Sequence, residues 1–228
     1  MLKKKIWELG MTVLLLTGVF WLARTGARLT GAGAGESRGV VLIDSGHGGS
    51  DPGKIGIHQE KEKDINLQIA NRLKKQLEKN GVQVYMTRET DTDLSDGTGG
   101  NSKVQDLKRR CELVRELQPD CVLSIHQNNF TDGRYSGAQV FYAGTEGSAQ
   151  LAKLLQEQLV SALNPGSNRK CKKSDGVYLM EHIDCTGVLV ECGFLSNVEE
   201  EAKLSCGTYQ KKLCCVIAAT VSQYLSNT

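Results

Sequence analysis

Along residues 40–225, short unbroken apolar runs alternate with longer stretches whose apolar residues recur every three or four positions. A run such as Val40-Val41-Leu42-Ile43 suits a strand buried on both faces, and such a strand needs helices above and below its sheet. Strand-like runs fall at Val40 to Asp44, Val82 to Thr87, Cys121 to Ile125 and Ala138 to Tyr142, with short ones at Val177 to Met180 and Val188 to Val190. Between them lie helical periods. The first, Asp64 to Lys79, carries Ile65, Ile69, Leu73 and Leu77 on one face and stops at Asn80-Gly81. Val104 to Leu117 is closed by Pro119, Ser148 to Leu163 by Asn164-Pro165-Gly166, and Tyr209 to Leu225 ends the pattern. Gly-rich and polar residues make loops of 45–60, Ser95 to Ser102 and 167–175. The expected fold is α/β, a single domain with a mostly parallel mixed sheet of about six strands flanked by helices.

At 228 residues the chain has room for one ordinary domain. Its formal charge of +2 conceals an asymmetry: Lys3, Lys4, Lys5, Arg24 and Arg28 against Glu8 leave residues 36–228 slightly acidic. A nucleic-acid partner is therefore not expected. The basic start, the uncharged stretch from Leu9 to Ala23 and the Gly/Ala run that follows have the layout of an export segment. Two readings stand, a signal peptide cleaved near Ala32-Gly33-Ala34 and a retained membrane anchor beginning at Ile6. Either divides the chain into residues 1–35, signal or anchor plus linker, and a folded domain at 36–228. Either also puts that domain outside the cytoplasmic membrane.

Eight cysteines in an exported chain would ordinarily suggest disulfides. Here Cys111, Cys121, Cys192, Cys214 and Cys215 fall within helical or strand-like runs, where cysteine acts as a small apolar residue. No C-x-x-C pair exists to form a thiolate zinc knuckle or a redox motif. Cys171 and Cys185 flank one segment and are the one pair considered for a bridge.

In sheets of this kind the chemistry gathers beyond the carboxyl ends of the strands. The first strand runs into Asp44-Ser45-Gly46-His47-Gly48-Gly49, the third ends at His126-Gln127-Asn128-Asn129, and the run at 188–190 ends at Glu191. Glu62, in the first turn of the helix after the His47 loop, points toward the same edge. Two imidazoles and a carboxylate around an open position suit a catalytic zinc site, and a further carboxylate suits proton transfer from water to a leaving amine. From these residues alone a structural role stays open, because an acid in a first helical turn is already favoured by the helix dipole. Glu60 competes with Glu62 on the same ground.

Four ordered motifs resolve this by resemblance. Ile43-Asp44-Ser45-Gly46-His47-Gly48-Gly49, Glu62-Lys63-Asp64-Ile65-Asn66-Leu67, Leu123-Ser124-Ile125-His126-Gln127-Asn128 and Val188-Leu189-Val190-Glu191-Cys192-Gly193-Phe194-Leu195-Ser196-Asn197 are similar to the zinc-dependent N-acetylmuramoyl-L-alanine amidases of the amidase-3 family. Ser136 to Tyr142, Asn168-Arg169-Lys170 and Val177-Tyr178-Leu179 further resemble the germination-specific spore-cortex amidases within it. The resemblance implies one zinc ion per chain on His47, Glu62 and His126, with Glu191 as general base and acid. The implied substrate is peptidoglycan, cut at the amide between muramic acid and L-alanine before muramic δ-lactam forms in spore cortex. The motif favours Glu62 over Glu60. Ser45 stands where the family usually has Pro, Asn129 where a small residue is commoner and Cys192 where an apolar residue is usual; none is a ligand position.

Asn128 and Arg169 are the candidate substrate-binding residues, although a loop as basic as 169–173 also suits a plain solvated surface. Arg88 and Arg110 read as structural ion-pair partners, His58 as a stray ligand candidate and His182 as a groove or core residue. With no wall-binding repeat, so short an enzyme is expected to use a protein partner for targeting or for completing its metal site. A zinc peptidase or deacetylase on wall material is the alternative of the same chemistry, and a non-catalytic wall-associated protein the alternative of another class. A cysteine hydrolase built on Cys192 is disfavoured, since no cationic neighbour in sequence would lower its pKa.

Overall fold

Strand β1, Val40–Ser45, shows why the alternation dictates two helical layers. Val41 and Ile43 face one apolar cluster and Leu42 faces another, and all three are fully buried. The same two-residue period splits β3, Cys121–Asn128, and β6, Thr186–Phe194. Leu123, Ile125, Val188 and Val190 join the first cluster, Val122 and Leu189 the second. With β2 (Gln83–Met86), β4 (Gln139–Tyr142) and β5 (Lys172–Lys173), these strands form one six-stranded sheet in the order β2-β1-β3-β6-β4-β5. Every pairing is parallel except β4 with β6, so the sheet is mixed and mostly parallel, as expected.

The computed structural model describes residues 37–97 and 101–228, and Arg38–Thr228 make one compact unit. The expected signal or anchor at 1–35 lies outside the described residues, as does part of the loop from Ser95 to Ser102. No helix among the described residues is long and apolar enough to cross a membrane.

Helices α1 (Glu62–Lys79), α3 (Ser148–Leu163) and α6 (Gly207–Leu225) cover the larger cluster through Ile65, Ile69, Leu73, Leu151, Leu155, Leu213 and Ile217. Gly81, at φ 81°, lets Val82 N return to Leu77 O at 3.1 Å and closes α1 as its sequence foretold. Helix α2 (Ser102–Leu117) covers the other face with Cys111 and Val114.

Four expectations need correction. Val177 to Met180 is not a strand: Tyr178–His182 form a single-turn helix, α4, so that neighbours Leu179 and Met180 both enter the smaller cluster, which a strand would prevent. Strands β3 and β6 run on past Ile125 and Val190, because their parallel pairing continues through His126↔Glu191 and resumes at Asn128↔Phe194. Helix α5, Val198–Leu204, had no apolar period to announce it; Asn197 starts it by accepting from Glu199 N and Glu200 N, both at 3.0 Å. Lys172–Lys173, within a stretch expected to be loop throughout, form β5 by pairing with Phe141 and Tyr142 of β4. Separately, all eight cysteines are free thiols, including the one pair considered for a bridge, Cys171 and Cys185.

Candidate metal centre and catalytic cleft

The carboxyl end of β1 is held by a buried polar network. Asp44 accepts from Ser124 Oγ at 2.6 Å, Thr87 Oγ1 at 3.1 Å and Arg110 Nη1 at 2.6 Å. Burial would raise the Asp44 carboxyl, but the Arg110 cation, with His126 and Ser124, outweighs it and holds the group below its ordinary value. Arg110 also donates to Ser45 O and His47 O, both at 2.9 Å. From the other side Arg88 donates to Ser45 O and Gly46 O at 3.0 Å and to Lys63 O at 2.8 Å. Arg110 is thus the ion-pair partner expected of it, with Asp44 and Asp106, whereas Arg88 binds carbonyl oxygens instead. The two guanidiniums fix a turn in which His47 takes a left-handed φ of 60°, a conformation that side chains adopt only where surrounding structure enforces it.

From that turn His47 sets Nδ1 2.9 Å from Asp51 Oδ2 and Nε2 3.2 Å from Glu62 Oε2. Glu62 is almost fully buried. Its Oε1 lies 2.9 Å from His126 Nδ1 and accepts from Gln127 N at 3.1 Å; its Oε2 accepts from Lys54 N at 2.8 Å. Burial would raise the Glu62 carboxyl, but His126 and His47 hold it far below the usual carboxylate range. For His47 burial works downward, and the carboxylates of Glu62 and Asp51 more than reverse it, raising the imidazole above its ordinary value.

One donor atom each from His47, Glu62 and His126 lies within 4.8 Å of the others. Two glycines let the backbone approach these donors closely: a Cβ on Gly46 would sit 2.3 Å from the His126 ring, and one on Gly53 would meet Glu62 Oε2 and His47 at 2.7 Å. Two imidazoles and a carboxylate, one imidazole oriented by a second carboxylate through its far nitrogen, fit a divalent cation of the zinc type. Glu60 is exposed and outside the group, and His58 is drawn away by Glu201, its Nδ1 2.8 Å from Oε2.

Glu191 stands opposite, paired in register with His126 across β3 and β6. Its Oε2 is buried without a hydrogen-bond partner. Burial, reinforced by the Glu62 charge and opposed by His126 and His47, pushes its carboxyl up to about 7. Such a group accepts and releases a proton near neutrality.

These residues line one cleft of about 500 Å³, whose wall also includes Tyr178 and Leu179 of α4. Asn128 lines it too. Arg169 does not reach it, because its Nε donates to Ser136 O at 3.1 Å and its guanidinium lies over the Phe194 ring, 4.9 Å from the centroid. His182 stacks on Tyr178 at 3.9 Å, on the exposed side of α4. Reading the sequence missed Asp51, for which the four-residue spacing from His47 was the available signal. It also missed Lys54 N, for which no side-chain signal exists.

The N-acetylmuramoyl-L-alanine amidase family (Amidase_3) matches residues 41–223. A germination-specific N-acetylmuramoyl-L-alanine amidase of Bacillus subtilis is 38% identical over 191 residues, covering 82% of this chain and 80% of that one. The amidase AmiC of Escherichia coli is 30% identical, over 85% of this chain but 55% of its own length. Among solved structures, the CwlD amidase of Clostridioides difficile, determined in complex with the GerS lipoprotein, superposes with a TM-score of 0.80 at 36% identity, covering 83% of this chain and all of that one. With the match running through nearly all of the folded unit, the chain belongs to the N-acetylmuramoyl-L-alanine amidases, hydrolases of the amide between N-acetylmuramic acid and L-alanine in peptidoglycan.

Proposed function

We propose that residues 36–228 are the catalytic domain of an exported, zinc-dependent amidase that removes stem peptides from spore cortex. His47, Glu62 and His126 hold the zinc ion, which when bound polarises a carbonyl and acidifies a water. Glu191 does the proton work. Its carboxylate takes the proton of the attacking water as the oxygen adds to the amide carbon. It then delivers that proton to the departing nitrogen as the C–N bond breaks, leaving a lactyl carboxyl and a free L-alanine amino terminus. Asp51 fixes which nitrogen of His47 faces Glu62, and the amides of Lys54 and Gln127 hold the Glu62 carboxylate in place. Asn128, on the cleft wall, is the substrate-contact candidate.

The reading rests on one observation above the rest: a buried, unpartnered carboxylate oxygen on Glu191 beside a His-Glu-His trio. The cortex setting is supported by likeness to a germination-specific relative, and export by the basic and apolar start of the chain. A lipoprotein partner, of the kind that accompanies the Clostridioides difficile amidase, is the corresponding proposal for recruitment.

The division of roles has a direct test. Glu191→Gln is expected to lower release of L-alanine amino termini from cortex fragments by about 10²- to 10⁴-fold while keeping its zinc. His47→Ala is expected to lose metal and turnover together. Equal metal loss in the two purified variants would overturn the assignment.

A further inference from the structure

Beyond Asn129, which lines the cleft, the chain turns outward and sets two aromatic rings in solvent, Phe130 at 50% exposure and Tyr135 at 46%. The rings meet edge to face with centroids 4.8 Å apart, and Tyr135 lies 6.1 Å from Phe194. The loop that carries them is pinned: Phe130 N donates to Ser196 Oγ at 3.0 Å, Asn197 Nδ2 to Gly133 O at 2.8 Å, and Leu195 N to Asn128 O at 2.8 Å. Arg169 braces the cluster, its guanidinium 4.9 Å from the Phe194 centroid and 5.9 Å from that of Tyr135. Phe194 follows Glu191 by three positions on β6, about 10 Å by strand rise.

The amidase reading makes the substrate a polymer. A cleft of about 500 Å³ encloses a ligand of drug-like size, so the glycan that continues beyond the reacting muramic acid must run over the surface. The aromatic pair is continuous with the cleft wall through Asn128 and Asn129. Arg134 is paired with Asp132 at 2.7 Å and the Arg169 guanidinium is turned onto the Phe194 ring, so the exposed feature of the loop is its pair of aromatic faces. A pyranose presents electron-poor C–H groups that complement the electron-rich face of an aromatic ring.

From this geometry we infer that Phe130 and Tyr135 form a sugar-binding platform for the glycan strand next to the scissile residue, with Arg169 as the positioning residue that holds it. The inference rests on the amidase reading for the identity of the polymer, but its test requires no turnover. The probe is glycan strands stripped of stem peptides, titrated calorimetrically into the full-length chain in detergent. Phe130→Ala and Tyr135→Ala are each expected to weaken binding about 5- to 10-fold, and Phe130→Tyr, which keeps a ring face, to stay within about 2-fold of wild type. In the wild-type protein, saturating aromatic proton resonances should transfer magnetisation to sugar protons, a readout that needs no variant. Wild-type glycan affinity in both alanine variants would overturn the platform, including where those variants lose binding to a protein instead. So would absence of transfer to the sugar. Failure of the amidase reading is seen separately, as cortex fragments from which no L-alanine amino termini are released.

Discussion

Two side chains carry conformational or electrostatic burdens that only their surroundings make tolerable. His47 sits at φ 60° because Arg88 and Arg110 hold the carbonyls on either side of the turn. Glu191 bears a carboxyl raised to about 7 against an ordinary 4.5, the result of burying an acid with no donor for Oε2. A carboxyl raised on folding binds its proton more tightly in the native chain than in the unfolded one. Its stabilising contribution is complete below about 4.5 and disappears as pH climbs through 7. With a chelator present to keep the protein metal-free, thermal unfolding should show Glu191→Gln gaining on the wild type between pH 5 and 8. A melting-temperature difference that stays flat with pH would contradict the desolvation argument.

Among the elements, α2 does more than cover a sheet face. Through Arg110 it reaches Asp44 at the end of β1, its own Asp106, and the backbone of the His47 turn, with the guanidinium almost wholly out of water. Truncating it to alanine leaves Asp44 buried without its cation. Arg110→Ala is expected to destabilise the domain by about 3–5 kcal/mol, read from denaturant midpoints, and to loosen metal binding with it. Arg110→Lys should recover only part of this, since one ammonium cannot serve two carboxylates and two carbonyls in a fixed fork. The element pattern was readable where periodicity spanned several turns, as in α1, α3 and α6. It failed for α4 and α5, a single turn and two turns; burial of Leu179 and Met180 decides the first, and the Asn197 cap the second.

At the scale of the molecule, the sheet separates two apolar clusters, and the cysteines follow that division rather than forming a covalent framework. Cys121, Cys192 and Cys214 belong to the larger cluster and Cys111 to the smaller, while Cys206 and Cys215 are exposed. A thiol-reactive chromophore should therefore label Cys206 and Cys215 rapidly in the native protein and reach those four buried positions only in denaturant. Reductant should leave the unfolding transition unmoved; a reductant-dependent midpoint would reveal a bridge. Composition and periodicity by themselves determined the α/β class and the mostly parallel sheet, because burial on both faces leaves an unbroken apolar signature. The four motifs pointed to the acid and imidazole set through their resemblance to a known family, whereas strand ends and a first helical turn by themselves left a structural role open. Tertiary structure alone decided that Asp51 orients His47, that Arg169 braces an aromatic loop instead of lining the cleft, and that Glu191 sits desolvated beside the trio. Each of those facts depends on distances between segments far apart in the chain, and no local pattern of residues encodes such distances.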